Sequence, residues 1–514
     1  MMRIGQEIKN SILTAFYFVM MIVYPFYIDT ESGYKVIGDT KYYFFRNVSI
    51  LVVVIMLLIV MIDFLCRREK IRIVEHYKKL SGTDWFVYGY LIAVLLSYAL
   101  TAYKKEALWG AEGWYMGLMS QLVFLSIYFL FSRYFEWKDN LLYPALTGSA
   151  LVFLLGILNR YSIYPIALNG QTPVFISTLG NINWFCGYWA VLCPLGVAFF
   201  WISKKNKEQI VAGFYVVIAF LSGVTQGSSS AYLAFAGIFL FLFCLSFYDN
   251  TRMKRFLELC FLFLVVCQLA RILRYLPGVT MNYESSIGKV LTDTNLTLFA
   301  AVVIGILSVW FGYLEKKKAF RIAEHKIWRN MVLAIVAEGF SGYVVLLIVN
   351  TCLAGGIFGL AGSSLFTFNN TWANSRGGTW TSGILAYRNM SFLQRLIGIG
   401  PDCFAEYLYA VPELAERVYS QFGSARLTNA HNEWLTILVN TGALGLICYA
   451  GIFVSAIWRF VKKAEEQPML FLCVLCILAY TVHNMVSFQQ ILNTPYVFLL
   501  LGIGEGMARR CNKS

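Results

Sequence analysis

His431 and Asn432 stand side by side at the start of a long apolar stretch, in the run Thr-Asn-Ala-His-Asn-Glu-Trp-Leu that begins at Thr428. Histidine titrates near neutrality, so a positioned one can take a proton from a hydroxyl nucleophile. A helix-end histidine satisfied by its neighbours is the plainer alternative. His431, Leu435, Leu438 and Gly442 follow helical spacing and so share one face. Gly442 on that face gives a neighbouring helix or a lipid chain room to approach. Asn429 or Asn432 suits the N-cap, because its side-chain oxygen accepts from first-turn N–H groups. A second pair, His483-Asn484, also ends an apolar run but has less around it. His76 and His325 fall in basic loops and read as solvated.

Arginine is the other residue type with chemistry to offer. Its planar fork binds phosphate oxygens bidentately, which suits a diphosphate. Arg271, Arg274, Arg376 and Arg388 fall on the side of the chain that His431 faces. Any one of them could equally be a snorkelling or surface residue. Arg376 is set apart by Gly377 and Trp380, in a segment leading to the turn Gly398-Ile399-Gly400-Pro401-Asp402. No acidic residues cluster near His431, so no metal is expected, and nothing implies a cofactor. Cys473 and Cys476 form a C-x-x-C inside an apolar run without a second pair, which reads as helix packing and not as a zinc or redox site.

These groups must be positioned by a chain that is 59% hydrophobic and 14% charged, against about a quarter charged in soluble proteins. Apolar runs of transmembrane length recur throughout. The expectation is an all-α polytopic transmembrane bundle, one integral membrane domain over 1–514, with about 14 spans. They lie near 11–27, 47–66, 85–102, 115–132, 141–159, 183–203, 209–225, 231–249, 256–275, 296–315, 331–354, 434–458, 468–486 and 495–508. The first lacks a small-residue cleavage site and reads as a retained helix. Net charge is +14, but the basic residues gather in short loops at Arg67-Arg68, Lys204-Lys205, Lys316-Lys317-Lys318 and Lys462-Lys463. That pattern is a topology signal, not a nucleic-acid surface, and it places both termini in the cytoplasm. Residues 355–433 then form one large extracytoplasmic loop between late helices. It carries Trp372, Trp380 and Phe404, a turn at 398–402 before a short helix, and a further helix started by Pro412.

Arg376-x-x-x-Trp380, Leu396-Ile397-Gly398-Ile399-Gly400-Pro401, Phe404, Asn429-Ala430-His431-Asn432-x-x-Leu435 and Gly442 form an ordered series. Over 376–445 it resembles the bacterial O-antigen ligase and O-antigen polymerase family. Upstream, Gly180-Asn181-Ile182-Asn183 is similar to that family's Gly-Asn-x-Asn segment before a helix. One departure stands out. Where the family often has Thr-x-Ser-Arg-Gly, this chain has Thr225-Gln226-Gly227-Ser228-Ser229-Ser230-Ala231, without the arginine. A second phosphate-binding cation would then come from Arg271, Arg274 or Arg388. The resemblance implies transfer of a glycan from a polyprenyl diphosphate to an acceptor hydroxyl, at the outer face of the cytoplasmic membrane. It assigns the diphosphate leaving group to Arg376 and the acceptor hydroxyl to His431. Asn432, Gly442, Trp380, Asn181 and Asn183 would help bind substrate and lipid. Ligase and polymerase share these motifs. Two other classes stay open: a transporter or flippase of lipid-linked sugars, which would want charges deep in spans where Glu338 is the main example, and a non-catalytic scaffold of glycan assembly.

Overall fold

A backbone in hydrocarbon must satisfy its own hydrogen bonds, so apolar runs of this length become helices. The computed structural model describes residues 2–67, 80–276, 280–281, 285–317, 320–353, 356, 359–360 and 362–511. The basic positions 68–72, His76 and Lys318 lie outside the described residues. Every expected span falls on a helix. Among the described residues ten helices are long and apolar enough to cross a membrane, and Leu118–Tyr134, Ser230–Ser246 and Leu470–His483 are shorter apolar ones. Thr494–Arg510 closes the series. The protein is an all-α, multi-pass membrane bundle. Among the described residues the sheet is a single short pair, Phe175–Ile176 against Gly180–Asn181.

Ile182–Ile202 is the central helix, buried along nearly its whole length. It packs against Asn206–Thr225 and Leu470–His483, and its Trp189 indole donates to the Ala219 carbonyl at 2.7 Å. Glu433–Lys463 lies along Gly82–Leu100, and Thr494–Arg510 along Leu118–Tyr134. Asp84 joins three of these helices by pairing with Arg133 at 2.9 Å and with Arg509. Lys326–Cys352 is different. Its apolar side chains, among them Val336, Phe340 and Ile348, point outward, and Glu338 is exposed on the same helix. Asn350 anchors its far end by donating to the Leu360 and Phe366 carbonyls, each at 3.0 Å.

Between Cys352 and Glu433 the chain forms helices Trp372–Asn389, Phe392–Ile397, Phe404–Ala410 and Pro412–Phe422, the last begun by Pro412 as expected. They share a small apolar core that includes Phe404, Leu408, Val418 and Ala430. Asp402 fastens this segment to the bundle. Its carboxylate accepts from the Ala111 and Met116 N–H groups at 2.8 and 2.9 Å. Gly442 interrupts Glu433–Lys463 with φ 71°. A Cβ there would collide with the Leu396 and Ile397 backbone. Gly442 therefore faces the protein's own chain, not a lipid, and it breaks the face it was expected to share with His431.

Candidate active site

Arg376 is presented by a strained turn. Ala373, Asn374 and Ser375 take left-handed φ values of 49°, 61° and 66°, which costs about 1–2 kcal/mol per residue. Such strain persists only where the surroundings fix it, and it gathers at ligand sites. The regular right-handed helix then runs from Arg376. Gly377 follows because a Cβ would strike the Asn369 carbonyl. The Arg376 Nε donates to the Val486 carbonyl at 2.9 Å and Nη1 to the Ala373 carbonyl at 3.0 Å. Both acceptors are neutral. Among the described residues no carboxylate pairs with Arg376, and three of its five N–H groups have no protein partner. Burial holds its pKa below the ordinary arginine value, yet a guanidinium stays charged. It is a cation without a counter-ion.

His431 is fixed by its backbone. Its φ is 48°, another left-handed position, and its N–H donates to Asn429 Oδ1 at 2.9 Å. The preceding Ala430 donates to Thr436 Oγ1 at 3.1 Å and accepts from Thr379 Oγ1 at 2.9 Å. The Thr379 bond ties the histidine segment to the Arg376 helix. Asn432 is the N-cap of Glu433–Lys463, its Oδ1 accepting from the Leu435 N–H at 3.0 Å. The imidazole meets the Phe488 ring edge-on with centroids 5.1 Å apart, and its Nδ1 is buried without a hydrogen-bond partner among the described residues. Burial first, and the Arg376 charge second, pull the His431 pKa down to about 4. The ring is thus neutral at pH 7 and free to accept a proton. An anion on Arg376 would cancel the second cause and make the ring more basic.

Arg376 and His431 share a cavity of about 260 Å³ with Asn374, Asn181, Asn183, Ser228 and Ser229. It lies just below the roughly 300–1,000 Å³ of pockets that enclose whole small molecules. Asn181 arrives on the short β pair and caps Ile182–Ile202, its Oδ1 accepting from the Asn183 N–H at 2.8 Å. Asn183 Oδ1 accepts from Ser228 Oγ at 2.9 Å. With both amide oxygens engaged, the two NH₂ groups are left for the cavity. Gln226 clamps the opposite wall, accepting from the Ser228 N–H at 3.1 Å and donating to the Ser228 carbonyl at 2.8 Å. Fully buried Arg160 supports that wall by donating to the Thr225 carbonyl at 3.0 Å. Asn181 and Ser229 are N-caps, and His431 immediately precedes one. Several helix N-termini therefore converge here, and their partial positive charge favours an anion.

The other expected site residues lie elsewhere. Trp380 packs edge-on against Trp372 at 5.3 Å and is not on the lining. Arg388 is exposed more than three turns along the same helix, roughly 18 Å from Arg376 at ~1.5 Å per residue. Arg271 donates to Asn295 at 2.9 Å, and Arg274 pairs with Asp293 at 2.5 Å. None of the three arginines reaches the cavity. Neutral donors occupy its wall, and among them Ser228, Ser229 and Asn374 had not been singled out. The available signal was the hydroxyl-rich run 228–230, which drew notice only for its missing arginine. His483 ends its helix, as expected, and is fully buried behind this wall.

No curated protein matches the chain. The family model described as O-antigen ligase matches residues 285–450. That stretch holds Arg376, His431 and Asn432, whereas Asn181, Asn183 and Ser228 lie before it. Over residues 285–450, then, the chain is similar to the O-antigen ligase family.

Proposed function

We propose that the protein transfers a glycan from a polyprenyl diphosphate to an acceptor hydroxyl at the outer face of the cytoplasmic membrane, as a ligase or a polymerase. The observation that carries this reading is the uncompensated Arg376 beside a neutral His431, in a cavity of amide and hydroxyl donors. The diphosphate binds with its oxygens on the free Arg376 N–H groups and on Asn181, Asn183 and Ser229. The acceptor oxygen attacks the anomeric carbon, and the bond from that carbon to the phosphate oxygen breaks. Charge grows on the leaving diphosphate, where a preorganised guanidinium is worth most. His431 orients the acceptor hydroxyl or takes its proton. No metal enters this scheme. The large segment 355–433 lies outside by the distribution of basic loops. Glu338 lies on the outward face of its helix, away from the bundle interior where a transport path would run.

The test follows consumption of lipid-linked donor in proteoliposomes. His431→Ala should lose about 10²- to 10⁴-fold in rate while its thermal unfolding in detergent matches the parent. Equal rates at matched protein levels would leave transport or scaffolding as the better reading.

A further inference from the structure

A second groove, of about 610 Å³, opens between the loop 27–31 and the start of Ile37–Arg67. It falls within the roughly 300–1,000 Å³ of pockets that take whole small molecules. Its near end adjoins the Arg376 cavity. Ile37, Thr40, Phe44 and Val48 follow helical spacing and share one face. Ile37 packs on Gly180, where a Cβ would come within 3.0 Å of its side chain, and the next residue, Asn181, lines the cavity. Gly38 lies against Trp184, where a Cβ would come within 3.4 Å of the ring. Trp184 meets Trp114 edge-on at 5.9 Å, Trp114 meets Phe488 at 4.9 Å, and Phe488 meets His431. From Ile37 the helix rises roughly 15 Å to Asn47 at the far end of the groove. The facing lip is fastened by Asn169, whose amide donates to the Glu31 carbonyl and whose carbonyl accepts from the Tyr34 N–H at 2.8 Å.

The lining sets rings beside polar groups. Tyr27 and Phe44 lie with ring centroids 4.3 Å apart, and Tyr43 is braced by the Arg46 guanidinium 4.9 Å from its ring. Tyr27 and Tyr43 are both exposed. Asp29 Oδ1 accepts from the Glu31 and Ser32 N–H groups at 3.0 and 3.3 Å, which leaves Oδ2 for a ligand. Asn47 Oδ1 accepts from Arg46 Nε and Nη2 at 3.2 and 3.1 Å, which leaves its NH₂. Glu31 and Thr40 complete the polar side, and among the described residues no basic side chain lines the groove. The two carboxylates repel a phosphate and accept from hydroxyls. A sugar ring has the matching character, with a C–H face for an aromatic ring and a rim of hydroxyls that donate and accept. Tyrosines are common at membrane interfaces, but carboxylates and an amide beside them are not explained by depth alone.

We propose that this groove binds the acceptor glycan, through the sugars that follow the one presented to His431. The proposal rests on the transfer reading and extends it. Tyr27 and Tyr43 cover the C–H faces of the sugar rings. Asp29, Glu31 and Thr40 accept from their hydroxyls, and the Asn47 amide donates to them. The Arg376 cavity is taken by the donor's diphosphate, so the acceptor enters along the Ile37 face and meets it at Asn181. The apolar run of Ile37–Arg67 begins at Val48, directly after Asn47. The groove therefore lies at the edge of the hydrocarbon, where a glycan carried on a lipid presents its first sugars.

The experiment measures initial rates of transfer in proteoliposomes, with glycolipid extracted from the native membranes as the varied acceptor. Parent, Tyr43→Ala, Asn47→Ala and the double variant are compared. Both side chains are exposed, and thermal unfolding checks that the variants fold. The double variant should raise the acceptor KM by about tenfold, from one aromatic contact and one hydrogen bond lost, with little change in kcat or donor KM. A parent-like acceptor KM in the folded double variant would overturn the proposal, and so would a rise in donor KM alone. The same proteins are titrated with the glycolipid extract in the absence of donor, followed by tryptophan fluorescence, and then with phosphatidylethanolamine vesicles. The double variant should bind the glycolipid more weakly than the parent. If phosphatidylethanolamine displaces the glycolipid, the groove holds a phospholipid head group and the proposal falls. If Arg376→Ala and His431→Ala transfer normally while the double variant loses glycolipid binding, only the transfer reading falls. If those two fail while the double variant binds and transfers like the parent, only the groove falls.

Discussion

Arg376→Lys keeps the charge and removes the fork. In the parent, two N–H groups hold neutral carbonyls of Val486 and Ala373, and three remain for the ligand. An ammonium has three donors in all. If it keeps both carbonyls it offers one to the diphosphate, and if it releases them it leaves two half-buried acceptors without partners. Hydrogen bonds to charged groups are worth about 1.5–3 kcal/mol each. Losing one of a bidentate pair should thus cost roughly 10- to 100-fold in kcat/KM, at about 1.4 kcal/mol per decade. Arg376→Ala loses both bonds and the charge, so its deficit should be roughly the square of that, about 10²- to 10⁴-fold. The assay is initial-rate glycan transfer in proteoliposomes at subsaturating donor, with protein quantified by fluorescence and folding checked by thermal unfolding. A Lys variant with the parent's kcat/KM would mean that no two phosphate oxygens sit on this guanidinium.

The histidine makes its own prediction about pH. His431 is held at about 4, below the 6.5 of a free imidazole. Its neutral form persists down to that value, so the acid limb of kcat/KM should fall near pH 4. In Arg376→Ala, which lacks the second cause of the shift, the residual activity should show that limb at higher pH. A parent limb near 6.5 would contradict the buried placement. Asp402 is displaced in the opposite direction, raised to about 7 by burial. Its contribution to stability is complete below the ordinary carboxyl value and lost as pH rises through 7. Thermal unfolding of Asp402→Asn, whose oxygen can still accept from Ala111 and Met116, should change less than the parent between pH 5 and pH 8. An equal or larger change would remove Asp402 as the source. Reporter fusions after Arg426 should read outside, and fusions after Lys205 and Lys463 inside. The reverse pattern would sink the topology and the donor assignment with it.

The spans were legible because hydrocarbon leaves the backbone few choices, and Pro412 marked its helix start for a local reason. Asn432 as N-cap was legible in type, although only the fold decides between it and Asn429, which spends its oxygen on the His431 N–H. The left-handed turn at 373–375 was not legible. None of its three residues is glycine, and the conformation is imposed by packing around them. Gly442 was read as clearance for a neighbouring helix or a lipid chain, and the neighbour is a helix, the backbone at the end of Phe392–Ile397. The cavity wall failed for a different reason. Arginines were sought as donors because a phosphate needs charge, whereas the fold supplies helix N-termini and amides whose oxygens are already engaged. Which oxygen of Asn183 meets which hydroxyl is a tertiary fact, invisible along the chain.

The cavity draws its floor from Ile182–Ile202, one wall from the turn at 226–229, its cation from the segment before Asn389, and the anchor of that cation from Val486. Only part of this falls within residues 285–450. The recognisable stretch is therefore not a transferable module. Grafted into another bundle, it would carry a guanidinium and an imidazole but neither the Val486 carbonyl that aims the one nor the asparagines proposed to complete the anion's shell. Exchange between such proteins would have to proceed by whole bundles. On the proposed reading, the early helices of a bundle are free to drift in sequence only as far as they still deliver an amide at 183 and a hydroxyl at 228.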